Sequence, residues 1–200
     1  MRSTRVILIG GPSSVGKSTL ANALAIELGW QWTSTDSLAR HPGSPWRSRA
    51  PDAAQHVADH YRSLSVEELV ADVRPHHERM WPGIKGLASA HASDPAAYRL
   101  IIEGSAIWPD PAATIGVDGI EAIWLTADNT LLRDRIYAAS NYANLDGEQR
   151  TLVDKFLGKW ARHNELMMVD VHKRNLASLD VSSAPSTDDL MAQCFEMIGR

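Results

Sequence analysis

The chain has 200 residues, 44% of them apolar and 22% charged, with a formal net charge of −4. That length and balance suit one globular domain whose core stands without disulfides or structural metals. The negative balance excludes broad electrostatic binding to nucleic acid, which needs a basic surface.

Residues 5–10 are apolar, β-branched and end in the pair Gly10-Gly11, which predicts a buried strand. The apolar run Val6 to Ile9 is too short for a signal-peptide core, and no segment approaches a membrane span. Residues 16–28 follow as a helix, with Leu20, Leu24 and Leu28 at helical spacing and Gly29 as the stop. Residues 30–34 predict a second strand that delivers Thr35-Asp36-Ser37 at its carboxyl end. The prolines and glycine of residues 41–51 predict a loop, and residues 52–61 a helix. Ser65-Val66-Glu67-Glu68 is a capping box that starts another helix, which Pro75 and Pro82 are expected to kink or divide. Residues 38–97 together form a helical insertion between strands.

Residues 98–104 predict the third strand and residues 120–126 the fourth, with Asp128 as the N-cap of the next helix. The polar, Asn-rich residues 137–150 read as a mobile loop. Residues 152–174 return to helix, residues 176–181 form the fifth strand, and residues 187–199 close the chain as a helix. Cys194, the only cysteine, falls in that helix as a packing residue and permits no intrachain disulfide. A cytoplasmic protein is expected. Strands alternating with helices predict an α/β fold with parallel pairing, whose ligand site lies beyond the carboxyl ends of the strands.

Gly11-Pro12-Ser13-Ser14-Val15-Gly16-Lys17-Ser18 satisfies G-x-x-x-x-G-K-[ST] between a strand and a helix. Glycines let the backbone wrap an anion, successive N–H groups form a nest, and the helix adds its positive N-terminal end. Lys17 can then reach the β- and γ-phosphates, and the Ser18 hydroxyl can bind Mg²⁺. Asp36 has two readings. It is a turn or cap residue, or a carboxylate that orients or deprotonates an attacking hydroxyl. Glu103 ends an apolar strand, either as a solvated strand end or as a ligand of Mg²⁺ or substrate.

Arg133, Arg135, Arg150, Lys155, Lys159 and Arg162 flank the 137–150 segment like the base of a lid. Arg135 is the foremost candidate to neutralise transferring phosphoryl oxygens, against the reading of solvated helix faces. Arg40, His41, Arg47 and Arg49 follow Asp36, where Arg40 and Arg47 are candidates to receive an anionic substrate. Trp46, Trp81 and Trp108 each adjoin a proline, as core closers or as pocket walls. His56 and His60 have i, i+4 spacing without further metal-ligand support, so no metal site is expected there.

The phosphate loop, Thr35-Asp36-Ser37 after strand two, the helical insertion, Ile102-Glu103-Gly104-Ser105 and the basic lid together resemble the small P-loop kinases of the nucleoside-monophosphate-kinase-like superfamily. Within it the chain looks most like chloramphenicol phosphotransferase, shikimate and gluconate kinases. Gly10 to Thr19 is similar to the loop of the first of these, and Asp36-Ser37 to its Asp-Ser pair. The resemblance implies a three-layer sandwich on a five-stranded parallel sheet of order 2-3-1-4-5, with a helical substrate cap and a lid. It implies that the aspartate contacts an acceptor hydroxyl, that Arg135 packs on adenine, and that the adenine loop lies near residues 182–186. Glu103-Gly104-Ser105-Ala106-Ile107-Trp108-Pro109 lacks the arginine that follows strand three in adenylate-kinase types, which weakens a nucleoside monophosphate acceptor.

The expected protein is a single P-loop kinase domain over residues 1–200, a monomer or homodimer, using ATP and Mg²⁺ to phosphorylate a hydroxyl of a small molecule of antibiotic, sugar or sugar-acid type. Two alternatives stand beside it: a nucleotide or nucleoside kinase, and an ATP-dependent switch or ATPase module acting through protein partners. A GTPase switch is disfavoured because neither Asn-Lys-x-Asp nor Asp-x-x-Gly occurs in the chain.

Overall fold

Val6–Gly10 forms the central strand β1, every residue of it buried. The computed structural model describes residues 4–38, 43–46, 51–184 and 186–198. Around β1 lie β2 (Gln31–Ser34), β3 (Leu100–Glu103), β4 (Ile120–Thr126) and β5 (Ser178–Asp180), all parallel, in the order β2-β3-β1-β4-β5. The α/β class and the 2-3-1-4-5 order expected above are both found.

The period-two alternation of strand side chains divides the core between the two sheet faces. Ile7, Ile9, Ile101, Ile123 and Leu125 pack on one side with α1 (Lys17–Leu28) and α7 (Thr187–Met197). Val6, Leu8, Leu100, Ile102 and Trp124 pack on the other with α3 (Val66–Ser93), the short α4 (Pro109–Ala112) and α6 (Gly147–Lys173). Each fully buried aliphatic side chain contributes roughly 2 kcal/mol. A third cluster, away from the sheet, joins Val57 and Tyr61 of α2 (Pro51–Ser63) to Leu69, Ile136, Val153, Phe156 and Trp160. It holds the helical cap onto α6 and α5 (Asn129–Ser140).

Two expectations are corrected. Pro75 and Pro82 do not divide α3, which runs through both as one helix. Both prolines lie on the exposed face, where water can satisfy the carbonyls they leave without an N–H. On the opposite face Leu69, His77, Met80, Ile84, Ala88 and Ala92 are buried, and that packing outweighs the lost bonds.

The 137–150 segment is not a loop. α5 continues to Ser140, Asn141 ends it in the left-handed conformation at φ 57°, and Tyr142–Asn144 makes a 3-10 turn. α6 then starts at Gly147 behind a capping box in which Asp146 and Gln149 satisfy each other's backbone N–H groups. The Tyr137 and Tyr142 rings stack with centroids 3.8 Å apart, and both hydroxyls donate to the Asp154 carboxylate. Polar composition suggested a loop, but short Asn and Asp side chains here serve as helix caps.

Candidate active site

Parallel pairing brings the carboxyl ends of β2, β3 and β1 to one edge, with Ser34 opposite Glu103 and Glu103 opposite Ile9. Three segments leave that edge: the phosphate loop after β1, Thr35–Ser37 after β2, and Gly104-Ser105 after β3. They wall a cavity of about 410 Å³ lined by Ser13, Ser14, Gly16 to Thr19, Asp36, Glu103 and Arg135.

The loop takes the shape its residues require. Gly16 sits at φ 109°, a conformation side chains rarely adopt, and opens directly into α1. Ser14 also has positive φ, at 65°. Such strain in a residue other than glycine persists only where the surroundings fix it, commonly at binding loops. Gly11, Pro12, Val15 and Thr19 complete the segment proposed from the motif; of these, Thr19 lines the cavity and Val15 is buried under it.

Lys17 is only 8% exposed, and its ammonium donates to the Pro12 carbonyl at 2.7 Å. Burial pushes its pKa below the ordinary lysine value, while the nearby carboxylates of Glu103 and Asp36 pull it back up. The Ser18 hydroxyl donates to Glu103 Oε1 at 3.0 Å. Glu103 is 3% exposed, so it is not a solvated strand end. The buried carboxylate and the serine hydroxyl are oxygen ligands that fit a hard divalent cation, and the lysine ammonium fits the anionic charge of phosphates beside one.

Asp36 is exposed to the cavity. The cap of its 3-10 turn is Ser34, whose hydroxyl accepts from the Asp36 N–H at 3.3 Å, so the Asp36 carboxylate is not consumed as a cap.

Arg135 Nη1 donates to the Val15 carbonyl at 2.6 Å and ties α5 to the phosphate loop. It also borders a second cavity of about 430 Å³ formed with Val15, Val181, Ala184, Ser186 and Leu190, alongside the segment that follows β5. The other basic residues expected in a lid have structural partners. Arg133 pairs with Asp134, Arg150 donates to the Ala143 carbonyl, and Arg162 pairs with Glu165. Lys155 donates to the carbonyls of Tyr61, Arg62 and Leu64 and closes the end of α2. Arg40 and Arg47, with His41 and Arg49, lie outside the described residues.

Sequence reasoning passed over Ser105 and Trp160, which line the phosphate cavity with Trp46. It also placed Lys159 in the lid, whereas Lys159 is buried beneath the cap. Its spacing from Phe156 and Trp160 puts it on the buried stripe of α6, a signal present in the sequence.

No family model matches the sequence, and no curated protein matches it. Solved structures do resemble it. A gluconokinase from Sinorhizobium meliloti 1021 is 14% identical, with a TM-score of 0.54 over 100% of this chain and 94% of that one. A sugar kinase from Janibacter sp. HTCC2649 is 14% identical, with a TM-score of 0.56 over 98% and 95%. A shikimate kinase from Acinetobacter baumannii, in complex with shikimate, is 12% identical, with a TM-score of 0.51 over 98% and 94%. The chain has the fold of the small P-loop kinases. No helix among the described residues is long and apolar enough to cross a membrane.

Proposed function

We propose that this protein transfers the γ-phosphate of ATP to a hydroxyl group of a small molecule. The observation that carries the reading is Asp36: a carboxylate uncommitted to capping, in the same cavity as Lys17 and Ser18. A module that only bound nucleotide would not need a base opposite its phosphate loop, and the dependence of ATP use on a hydroxyl acceptor separates transfer from hydrolysis.

The loop amides and Lys17 hold the β- and γ-phosphates. Ser18 and Glu103 are the residues that would hold Mg²⁺, which when bound neutralises charge on the phosphates. Asp36 orients the acceptor hydroxyl and takes its proton. The acceptor oxygen bonds to the γ-phosphorus as the bond to the bridging oxygen breaks and ADP leaves. Arg135 stands where it can meet charge on the transferring group or pack on the base, since it borders both cavities. Trp46 and Trp160 wall the acceptor side and restrict water, which would otherwise take the phosphate. An acceptor of sugar or sugar-acid type is supported by the fold shared with the gluconokinase, sugar kinase and shikimate kinase structures.

Asp36→Asn tests the assignment. ATP binding is expected to persist while transfer falls by roughly 10²-fold or more, the scale of positioned proton transfer. An ATP-consumption screen across aminoglycosides, sugars, sugar acids and nucleosides identifies the acceptor. Normal transfer by Asp36→Asn removes Asp36 from the chemistry, and a screen in which no hydroxyl compound stimulates ATP use removes the kinase reading.

A further inference from the structure

The helical cap carries its own cavity, of about 270 Å³ and partly open to solvent, between α2, α3 and α6. Lys159 lines it and is 3% exposed. The ammonium lies 5.4 Å from the Tyr61 ring centroid and 5.2 Å from that of Trp160, and donates to the Tyr61 hydroxyl at 3.3 Å. Among the described residues no carboxylate lies within ion-pair distance of it; Asp72, the acid in the lining, meets His60 instead, at 3.5 Å. Asp72 still acts on Lys159 through space, but an ammonium has three donors, and burying one without a direct ion pair is costly. Methionine at this position would fill the space without that cost.

The lining has a sign. Lys159 and Arg79 share the lining with the single carboxylate of Asp72 and with His56, His60, His76 and His77. Among the described residues no group of three or more His, Cys, Asp or Glu is placed to hold a metal ion, and two basic side chains against one carboxylate suit an anion. The cavity also adjoins the phosphate site, because Trp160 borders both. His76 lies in both fields: burial, Arg79 and Lys159 lower its pKa, and Asp72 and Asp36 act against them.

We infer that this cavity is an oxyanion subsite, in which Lys159 holds a carboxylate, phosphate or sulfate group carried by the molecule whose hydroxyl meets Asp36. The identity of that occupant rests on the phosphotransfer reading; the existence of an anion site does not. Lys159 thus acts in acceptor selection and touches none of the reacting atoms.

The test reads Lys159 itself. The ¹³Cε resonance of Lys159, assigned by its disappearance in Lys159→Met or, should that variant not fold, in Lys159→Arg, is followed while sulfate is added to the wild-type protein. A saturable shift at concentrations that leave the surface lysines unmoved is expected. A resonance that moves only together with those lysines overturns the subsite. Parallel titrations with acetate and with inorganic phosphate distinguish a carboxylate from a phosphate occupant by the tighter of the two. In the kinetic arm, Lys159→Met is expected to raise the KM for an anionic acceptor roughly tenfold or more, the worth of one charge-assisted hydrogen bond, with the KM for ATP unchanged. A turned-over acceptor that is neutral and indifferent to Lys159→Met overturns the subsite and leaves the kinase standing. An anion-responsive Lys159 in a protein that phosphorylates nothing overturns the kinase and leaves the subsite.

Discussion

Gly104→Ala places a methyl group against the two strand ends that carry Asp36 and Glu103. A Cβ at Gly104 would stand 1.8 Å from Thr35 Oγ1, 2.8 Å from its Cβ and 2.9 Å from its Cγ2, where ordinary contact begins at 3.4 Å. Thr35 is fully buried and cannot swing into solvent. The collision must be taken up by moving β2 away from β3, which carries Asp36 away from the phosphate loop. Overpacking of this kind costs about 1–3 kcal/mol, and a clash with the body of a buried side chain belongs near 3. With a denaturant slope near 2–3 kcal/mol per molar urea for a chain of this size, the midpoint is expected to fall by roughly 1 M. Intrinsic tryptophan fluorescence, from seven tryptophans, reports the transition. Thr35→Ala removes Oγ1 and Cγ2 but not Cβ. Because Oγ1 has no hydrogen-bond partner among the described residues, the single substitution is expected to be nearly neutral. Combined with Gly104→Ala it is expected to restore part of the loss, with a coupling of about 1 kcal/mol or more. An unshifted midpoint for Gly104→Ala, or strict additivity in the double variant, refutes the steric argument.

Lys159 also makes stability depend on pH. Burial lowers its pKa from 10.5 to about 8, so between these values the unfolded chain binds more protons than the folded one. Stability therefore rises with pH through that window, by up to about 3 kcal/mol, and the penalty is fully present below pH 8. The urea midpoint of the wild type is expected to gain on that of Lys159→Met from pH 8 to 10.5, and a flat difference contradicts it. Lys155→Met leaves the three carbonyls at the end of α2 without their donor. A cost of roughly 1–2 kcal/mol is expected, with faster amide hydrogen exchange in the last turn of α2; unchanged exchange there denies Lys155 its capping role.

Much of this protein is legible along the chain because local physics decides it. The phosphate loop needs its glycines, its lysine and its serine in fixed order, so one run of residues announces both the anion site and the strand and helix beside it. β4 was legible to the residue, and the caps Asp128 and Ser65 act as their side chains predict, each accepting the backbone N–H three residues on. Other features depend on which side of an element meets the core. The prolines of α3 lie on a face that the tertiary structure turned outward, where water can satisfy the carbonyls left without a donor. The Asn-rich stretch after Ser140 forms helix ends because Tyr137, Tyr142 and Asp154 come together across it.

The sequence by itself determined the phosphate-loop motif and the strand and helix beside it, through residues consecutive along the backbone whose geometry is set within a single turn. Only the tertiary structure decided what surrounds that loop. Glu103 reaches Ser18 across 85 positions and Arg135 reaches Val15 across 120, and no local pattern encodes such distances. Lys159 is an intermediate case, because its place on the buried stripe of α6 is legible and its surroundings are not. Its charge reads as surface in one dimension, and it is the packing of α2, α3 and α6 around it that buries the ammonium and turns it toward a cavity.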